Sequence, residues 1–200
     1  MLLNSETIDS LKRGNAIPLT PELTISLIKA DDLADIITML DNPKVTEFLF
    51  FAPAPVEVYQ SFFQPIIDNT TEAIAHNEWP KNPTLIVRNQ QGDYMGMGGL
   101  SAVMFLQGNV EIGYQLPEHA WGKGIATAIT RLLTELAFKA LAVHKVSADC
   151  YANNIGSYRT LENCGFTQEG RQKDYYKLEN GFDDRLFYGM TAQEFATLTD

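Results

Sequence analysis

Residues Trp121-Gly-Lys-Gly-Ile-Ala126 decide the fold prediction, because they place two glycines directly before a long amphipathic segment. From Ile125 onward, apolar side chains recur with helical spacing as far as Ala140. Glycine lets a ligand approach the backbone, and the unpaired amides of a first helical turn attract phosphate. The preceding segment Asn109-Val-Glu-Ile-Gly-Tyr-Gln-Leu116 alternates apolar and polar residues as a strand does. The sequence therefore predicts a strand, a phosphate-binding turn and a helix in series.

Two other glycine-rich phosphate motifs do not match. A P-loop requires Ser or Thr after its lysine, whereas Lys123 is followed by Gly124. A dinucleotide fingerprint requires a third glycine where Ser101 follows Gly96 and Gly98. The turn at 122–126 is thus either a phosphate turn of another kind or an ordinary loop before a helix.

A second motif follows about thirty residues later, in Asn153-Asn-Ile-Gly-Ser-Tyr-Arg-Thr-Leu-Glu-Asn-Cys-Gly-Phe166. The spacing predicts a helix that an asparagine caps and Gly165 ends, after a strand over 145–151. Asn154, Ser157 and Leu161 share one face of this helix. Taken singly, they have structural explanations as a cap, a small contact residue and a core residue.

Together the two motifs resemble the GNAT superfamily of acyl-CoA N-acyltransferases, whose signature Q/R-x-x-G-x-G/A precedes an Asn-containing helix. Trp121 replaces the usual Gln or Arg, and this departure is similar to the branch of Rim-type ribosomal-protein N-acetyltransferases. That branch also carries N-x-x-S and Cys-Gly-Phe, which Asn154-Ile-Gly-Ser157 and Cys164-Gly-Phe166 match. Residues 181–188 are similar to its late strand. The resemblance is strong over 83–170, weaker over 18–82 and absent from residues 1–17.

The resemblance implies an α/β (α+β) fold with a mixed, mostly antiparallel central sheet and helices on both faces. The sheet would be splayed between the strands that end at Leu116 and Tyr151. The implied donor is acetyl-CoA, with its pyrophosphate at the backbone amides of the turn and Lys123 nearby. The residues expected to bind it are Gln115, Leu116, Trp121, Gly122, Lys123, Gly124, Ile125, Ala126, Thr127, Asn154 and Tyr158.

Two residues are candidates for catalysis. Glu111 lies on the polar face of the strand before the turn, where many family members carry an acidic base, and burial there would raise its pKa. Its alternatives are a solvated strand glutamate or a partner for an arginine such as Arg88. Ser157 is the candidate for protonating or stabilising the leaving thiolate, because Leu161 stands where many members have tyrosine. Tyr158 and water remain alternatives for that proton.

Length and composition agree with one domain over 18–200 that follows an N-terminal extension over 1–17. Two hundred residues of 45% hydrophobic content suffice for a full core. No leader or apolar run long enough for a membrane span is visible, so we expect a cytoplasmic protein. Cys150 and Cys164 indicate neither a disulfide framework nor a metal site.

The net charge of -10 disfavours nucleic acid and favours a cationic acceptor. Because a motif places only one acidic residue, Glu111, at the site, we predict the acceptor with the more easily removed proton, a protein N-terminal amine. The alternatives are a small-molecule amine (a polyamine, amino acid or antibiotic) and a non-catalytic acyl-CoA sensor. The aromatic stretch Phe48–Phe51 is a candidate acceptor wall, and a homodimer remains open.

Periodicity elsewhere predicts further elements. Helices are expected over 31–40 and about 56–76. Strands are expected over 23–28, 84–88, 94–104, 172–178 and 186–190.

Overall fold

The computed structural model describes residues 3–199, in which eight strands form a single sheet of order β1-β2-β3-β4-β5-β6-β8-β7. The strands are β1 Ile17–Thr20, β2 Leu23–Leu27, β3 Thr84–Asn89, β4 Tyr94–Ala102, β5 Asn109–Gln115, β6 Lys145–Tyr151, β7 Thr167–Leu178 and β8 Gly181–Thr191. The helices are α1 Ser5–Lys12, α2 Leu33–Leu40, α3 Pro43–Thr46, α4 Val56–Ala75, α5 Ile125–Ala140, α6 Ile155–Asn163 and α7 Ala192–Thr199. Every strand pairing is antiparallel except that of β5 with β6.

Helices cover both faces of this sheet, as β3 shows. Leu85 and Val87 belong to a core that includes buried residues of α1 and α5, whereas Ile86 belongs to a second core with α2 and α4. A strand buried on both faces cannot alternate apolar with polar residues, which explains the continuous run Leu85–Val87. The predicted mixed, mostly antiparallel sheet with helices on both faces is confirmed.

Helix α5 lies close to the sheet because a glycine faces it. A Cβ at Gly98 on β4 would lie 2.4 Å from Cγ2 of Ile129 and 3.0 Å from Cδ1 of Leu133. Both α5 side chains are fully buried. The glycine therefore fixes how near the helix, and the turn that begins it, can approach the strands.

The N-terminal residues that the sequence assigns to an extension are packed on the core. Asn4 caps α1 by accepting the Thr7 amide proton at 2.8 Å. Leu11 is fully buried, and the Leu3 amide donates to Oε2 of Glu135 on α5 at 3.0 Å. Strand β1 begins at Ile17, one residue before the expected domain start. The part of residues 1–17 that the structure describes thus contributes to the same core as the rest of the chain.

Several predicted boundaries differ from the observed ones. Strands β7 and β8 are longer than expected, at 12 and 11 residues, because they pair with each other as a hairpin through much of their polar lengths. Strand β4 ends at Ala102 rather than 104, because a tight turn follows in which the Leu106 amide donates to the Val103 carbonyl. Periodicity does not predict α1, β1, α3 or α7, which are only four to eight residues long.

Within residues 3–199, no helix is long and apolar enough to cross a membrane. In the same range, His, Cys, Asp and Glu side chains form no cluster of three or more that could hold a metal ion.

Candidate active site

The site lies where β5 and β6 separate. Their parallel pairing covers Asn109 to Glu111 on β5 and Lys145 to Ser147 on β6, and in the described chain it extends no further. Beyond Glu111, backbone groups of β5 that point towards β6 lose their strand partner. The sheet opens into a wedge, which confirms the predicted splay between the strands that end near Leu116 and Tyr151.

The predicted phosphate turn has the backbone conformation that its two glycines favour. Gly122 and Gly124 have φ angles of 71° and 72°, a left-handed conformation that favours glycine. No described atom, chain neighbours aside, lies within 4 Å of the place where a Cβ would stand on either residue. Gly124 also caps α5, so the amides of the first helical turn are available to an anion in that open space.

Trp121 has a structural role at the position where the family signature usually has Gln or Arg. Its indole Nε1 donates to the carbonyl of Leu116 at 2.9 Å, while the side chain is 44% exposed. This bond ties the turn back to the residue that follows β5. Trp121 therefore positions the turn relative to the opening in the sheet.

A cavity of about 560 Å³ lies against the turn, and we call it the turn cavity. It is lined by predicted acetyl-CoA contacts: Gln115, Leu116, Trp121, Gly122, Gly124, Ile125, Ala126, Thr127 and Asn154. Lys44 also lines it, from α3, and bonds to Glu118 before the turn. Sequence reasoning missed this lysine because it is distant from the turn along the chain and no motif surrounds it.

Two predicted contacts lie outside the turn cavity. Lys123 instead lines a separate, larger groove, together with Arg88 and Tyr94. Tyr158 lines neither this cavity nor the one described next, and the guanidinium of Arg159 lies 5.5 Å from its ring centre. The helical register explains why Tyr158 lines neither cavity, because it is one residue beyond the face that Asn154 and Ser157 share.

A second cavity of about 270 Å³, which we call the carboxylate cavity, contains Glu111 and Asp149. The predicted aromatic wall lines it through Phe48, Phe50 and Phe51. The two cavities share six lining residues: Phe48, Leu49, Tyr114, Gln115, Asn154 and Ser157. These shared residues mark a junction at which ligands of the two cavities can meet.

Ser157 is held at the junction by hydrogen bonds. The Tyr114 hydroxyl lies 3.0 Å from Oγ of Ser157 and donates to the Ser157 carbonyl, also at 3.0 Å. Oδ1 of Asn154 accepts the Ser157 amide proton at 3.1 Å, so the helix-cap explanation of Asn154 is confirmed although the residue also lines both cavities. Burial raises the pKa of Tyr114, which suits a neutral hydroxyl that orients Ser157. Sequence reasoning treated Tyr114 only as an apolar strand residue.

Glu111 is exposed to the carboxylate cavity, and its pKa is raised. Desolvation is the largest cause, and the charge and hydrogen bond of Asp149 add to it, while Arg185 opposes it. Arg88, the alternative partner, instead pairs with Asp32 and Asp35 at 2.7 Å each. Glu111 therefore belongs to a carboxylate pair.

Asp149 corrects the expectation of a single acidic residue at the site. It lies on β6, and Oδ2 accepts from Nε of Arg185 at 2.8 Å and from the Tyr176 hydroxyl at 2.7 Å. The signal in the sequence is weak, because Asp149 is one polar residue in an alternating strand. Only the register that pairs Glu111 with Ser147 shows that the two carboxylates are neighbours.

Comparison with known proteins agrees with this geometry. A family model described as the acetyltransferase (GNAT) domain matches residues 22–167. The chain belongs to this GNAT family. It is therefore an N-acetyltransferase with acetyl-CoA as its co-substrate, and the glycine turn, the α5 amides and the open turn cavity are suited to that donor.

Individual relatives cover most of the chain. An N-acetyltransferase named p20, from Bacillus licheniformis, is 25% identical over 178 residues, which span 88% of this chain and 97% of that protein. The Bacillus subtilis (strain 168) protein named "Putative ribosomal N-acetyltransferase YdaF" is 27% identical over 175 residues, which span 86% and 92%. A Vibrio cholerae spermidine N-acetyltransferase, solved with CoA and spermine, has a TM-score of 0.75 at 18% identity and covers 88% and 99%. The structural match shows the shared fold.

Proposed function

We propose that this N-acetyltransferase acetylates the α-amine of a polypeptide N-terminus. The observation that carries the proposed transfer to an amine is the junction of the two cavities, with Glu111 on one side and the phosphate turn on the other. An acyl donor in the turn cavity and an amine in the carboxylate cavity would meet beside Ser157. Family membership in turn favours an enzyme over a non-catalytic acyl-CoA sensor.

Donor binding would depend on the turn and on Lys44. Backbone amides from Gly122 to Thr127 would bind the pyrophosphate, because the first helical turn leaves them unpaired. Lys44 supplies a cation that lines the same cavity. Lys123 would contribute through its backbone amide, since the residue lines the separate groove and not the turn cavity.

The proposed transfer needs one base and one group near the leaving sulfur. Glu111 takes a proton from the acceptor ammonium, and the neutral nitrogen attacks the thioester carbonyl carbon. A carbon–nitrogen bond forms as the carbon–sulfur bond breaks. The second nitrogen proton is lost as the amide forms, and the thiolate takes a proton with the help of the Ser157 hydroxyl or water. The products are the acetylated amine, CoA thiol and one released proton.

The acceptor assignment rests on proton affinity and charge. An α-amine titrates near 7.7–8.0 and a lysine-like amine near 10.4, so neutralising the second at pH 7 costs about 3–4 kcal/mol more. Arg185 is paired with Asp149, which leaves Glu111 as the member of the carboxylate pair that faces the acceptor's proton. The net charge of -10 would attract a basic polypeptide. The name of the relative YdaF points in the same direction.

A polyamine is the second candidate acceptor. Two carboxylates line one cavity, and a molecule with several ammonium groups could bind both. The name of the Vibrio cholerae neighbour describes such an acceptor for that protein.

Side-by-side turnover distinguishes these acceptors. A lysine-containing peptide with a free N-terminus, its N-blocked version and spermidine would be compared by the release of CoA thiol. We expect the free peptide to react fastest and the blocked peptide to lose nearly all of the rate. Equal rates on the two peptides, or a preference for spermidine, would reject the N-terminal assignment.

A further inference from the structure

Asp149 is fixed from two sides. Arg185 on β8 and Tyr176 on β7 both bond to its Oδ2, and Glu111 lines the same cavity. The partners are themselves held, since the Tyr176 ring stacks on Tyr151 with centroids 3.6 Å apart. This is a rigid carboxylate inside the carboxylate cavity.

An ion pair alone does not account for this arrangement. The bond to Arg185 would stabilise the sheet without Glu111 nearby, and partly exposed pairs contribute little to stability. Placing a second carboxylate beside Glu111 costs stability, because like charges repel at short range. This arrangement lowers stability and lies in the cavity that we assign to the acceptor. A role in the reaction explains why it is present.

We propose that Asp149, held by Arg185 and Tyr176, is a positioning residue that fixes the Glu111 carboxyl group and prepares it to take the acceptor's proton. This inference rests on the proposed function, in which Glu111 is the base. Glu111 and Asp149 line the same cavity from adjacent parallel strands, so the charge of Asp149 acts on Glu111 directly.

The groups around Glu111 define the expected electrostatics. Asp149 on β6 and Arg185 on β8 are the charged groups that act on it, with opposite signs. Its strand neighbours are neutral serines, Ser101 on β4 and Ser147 on β6. Tyr176 on β7 lines the same cavity and donates its hydroxyl proton to Asp149. Removing Asp149 should therefore lower the pKa of Glu111, and removing Arg185 should raise it.

The pH profile of kcat/KM tests this inference. In Asp149→Asn and Asp149→Ser, the acid limb should move to lower pH, whereas Asp149→Glu should restore the parent position. Arg185→Gln should move the limb to higher pH. The matched control is Asp184→Asn, which removes the same charge from an Asp paired with Arg171 that lines neither cavity. An acid limb that stays in place in both neutral Asp149 variants would overturn the inference.

A second measurement separates this inference from the acceptor assignment. Carbon-13 NMR titration of the Glu111 carboxyl group in the enzyme alone needs no acceptor, so it remains informative if spermidine proves to be the better substrate. We expect a lower Glu111 pKa in Asp149→Asn than in the parent. Identical titrations would overturn the role of Asp149, whatever the acceptor.

Discussion

Glu111 and Ser157 have different places at the site, and the difference separates their proposed roles. Of the two cavities, Glu111 lines the carboxylate cavity and not the turn cavity, whereas Ser157 lines both. A base for the acceptor belongs in the first position. A group that acts on the leaving sulfur belongs at the junction.

Glu111→Gln should lower the rate constant for acetyl transfer about 100-fold or more, because general base catalysis contributes roughly 10²–10⁴. Acetyl-CoA affinity should hardly change, since Glu111 is absent from the turn cavity lining. Because the base must be ionised, the parent rate should fall as pH falls through the raised pKa of Glu111. In the variant, the rate should no longer show this fall at low pH. Rapid-quench kinetics across pH would measure both effects, with Glu72→Gln on the exposed side of α4 as control. A variant with the parent rate and pH profile would remove Glu111 from the mechanism.

Ser157→Ala should reduce the rate about tenfold, the effect of losing one hydrogen bond to the leaving group. Tyr114→Phe keeps the serine hydroxyl but removes the group that orients it. We therefore expect Tyr114→Phe to lower the rate less than Ser157→Ala does. Single-turnover CoA release measures both rates. Full activity in Ser157→Ala would assign the final proton transfer to water.

At the scale of elements, we expect acetyl-CoA binding to depend on the backbone conformation of the turn before α5. If it binds pyrophosphate, acetyl-CoA at one hundred times its Kd should stabilise the fold by about 2.7 kcal/mol. This corresponds to roughly 5–11 °C in Tm for a chain of this size. Gly124→Val should abolish the shift, because it adds a branched side chain at a φ of 72° in the ligand's space.

Gly92→Val is the matched control for that prediction. Gly92 has a φ of 87° and equally open surroundings, but it lies in the β3–β4 turn. The Gly92→Val variant should have a lower Tm without ligand but should keep the rise in Tm that acetyl-CoA causes. Thermal melts with and without acetyl-CoA measure the two quantities. Retention of the full shift in Gly124→Val would contradict the assigned phosphate turn.

At the scale of the whole molecule, the N-terminal helix is part of the main core. Leu11→Ala should lower the free energy of unfolding by about 2–5 kcal/mol, because it leaves a cavity at a fully buried position. Leu106→Ala makes the same change at an exposed residue of the β4–β5 turn and should have little effect. Urea unfolding of both variants checks the prediction. Equal stabilities would show that α1 is dispensable to the fold.

Local sequence was sufficient to predict the strand, turn and helix around Gly122 and Gly124, since glycine conformation and helical periodicity act over a few residues. It was also sufficient to propose Glu111 and Ser157, through a family resemblance. Short elements such as α1 and β1 escaped prediction, because so few residues show no clear period and tertiary packing stabilises them.

Only the tertiary structure brought Asp149 to Glu111, Tyr114 to Ser157 and Lys44 to the turn cavity. These partners are separated by 38, 43 and about 80 positions along the chain, so neither periodicity nor motif spacing links them. The register of β5 with β6 decides the first contact, and the packing of α6 against the opening decides the second. The sequence determined which local shapes the chain can form, whereas strand pairing and packing determined which distant charges and hydroxyls share one site.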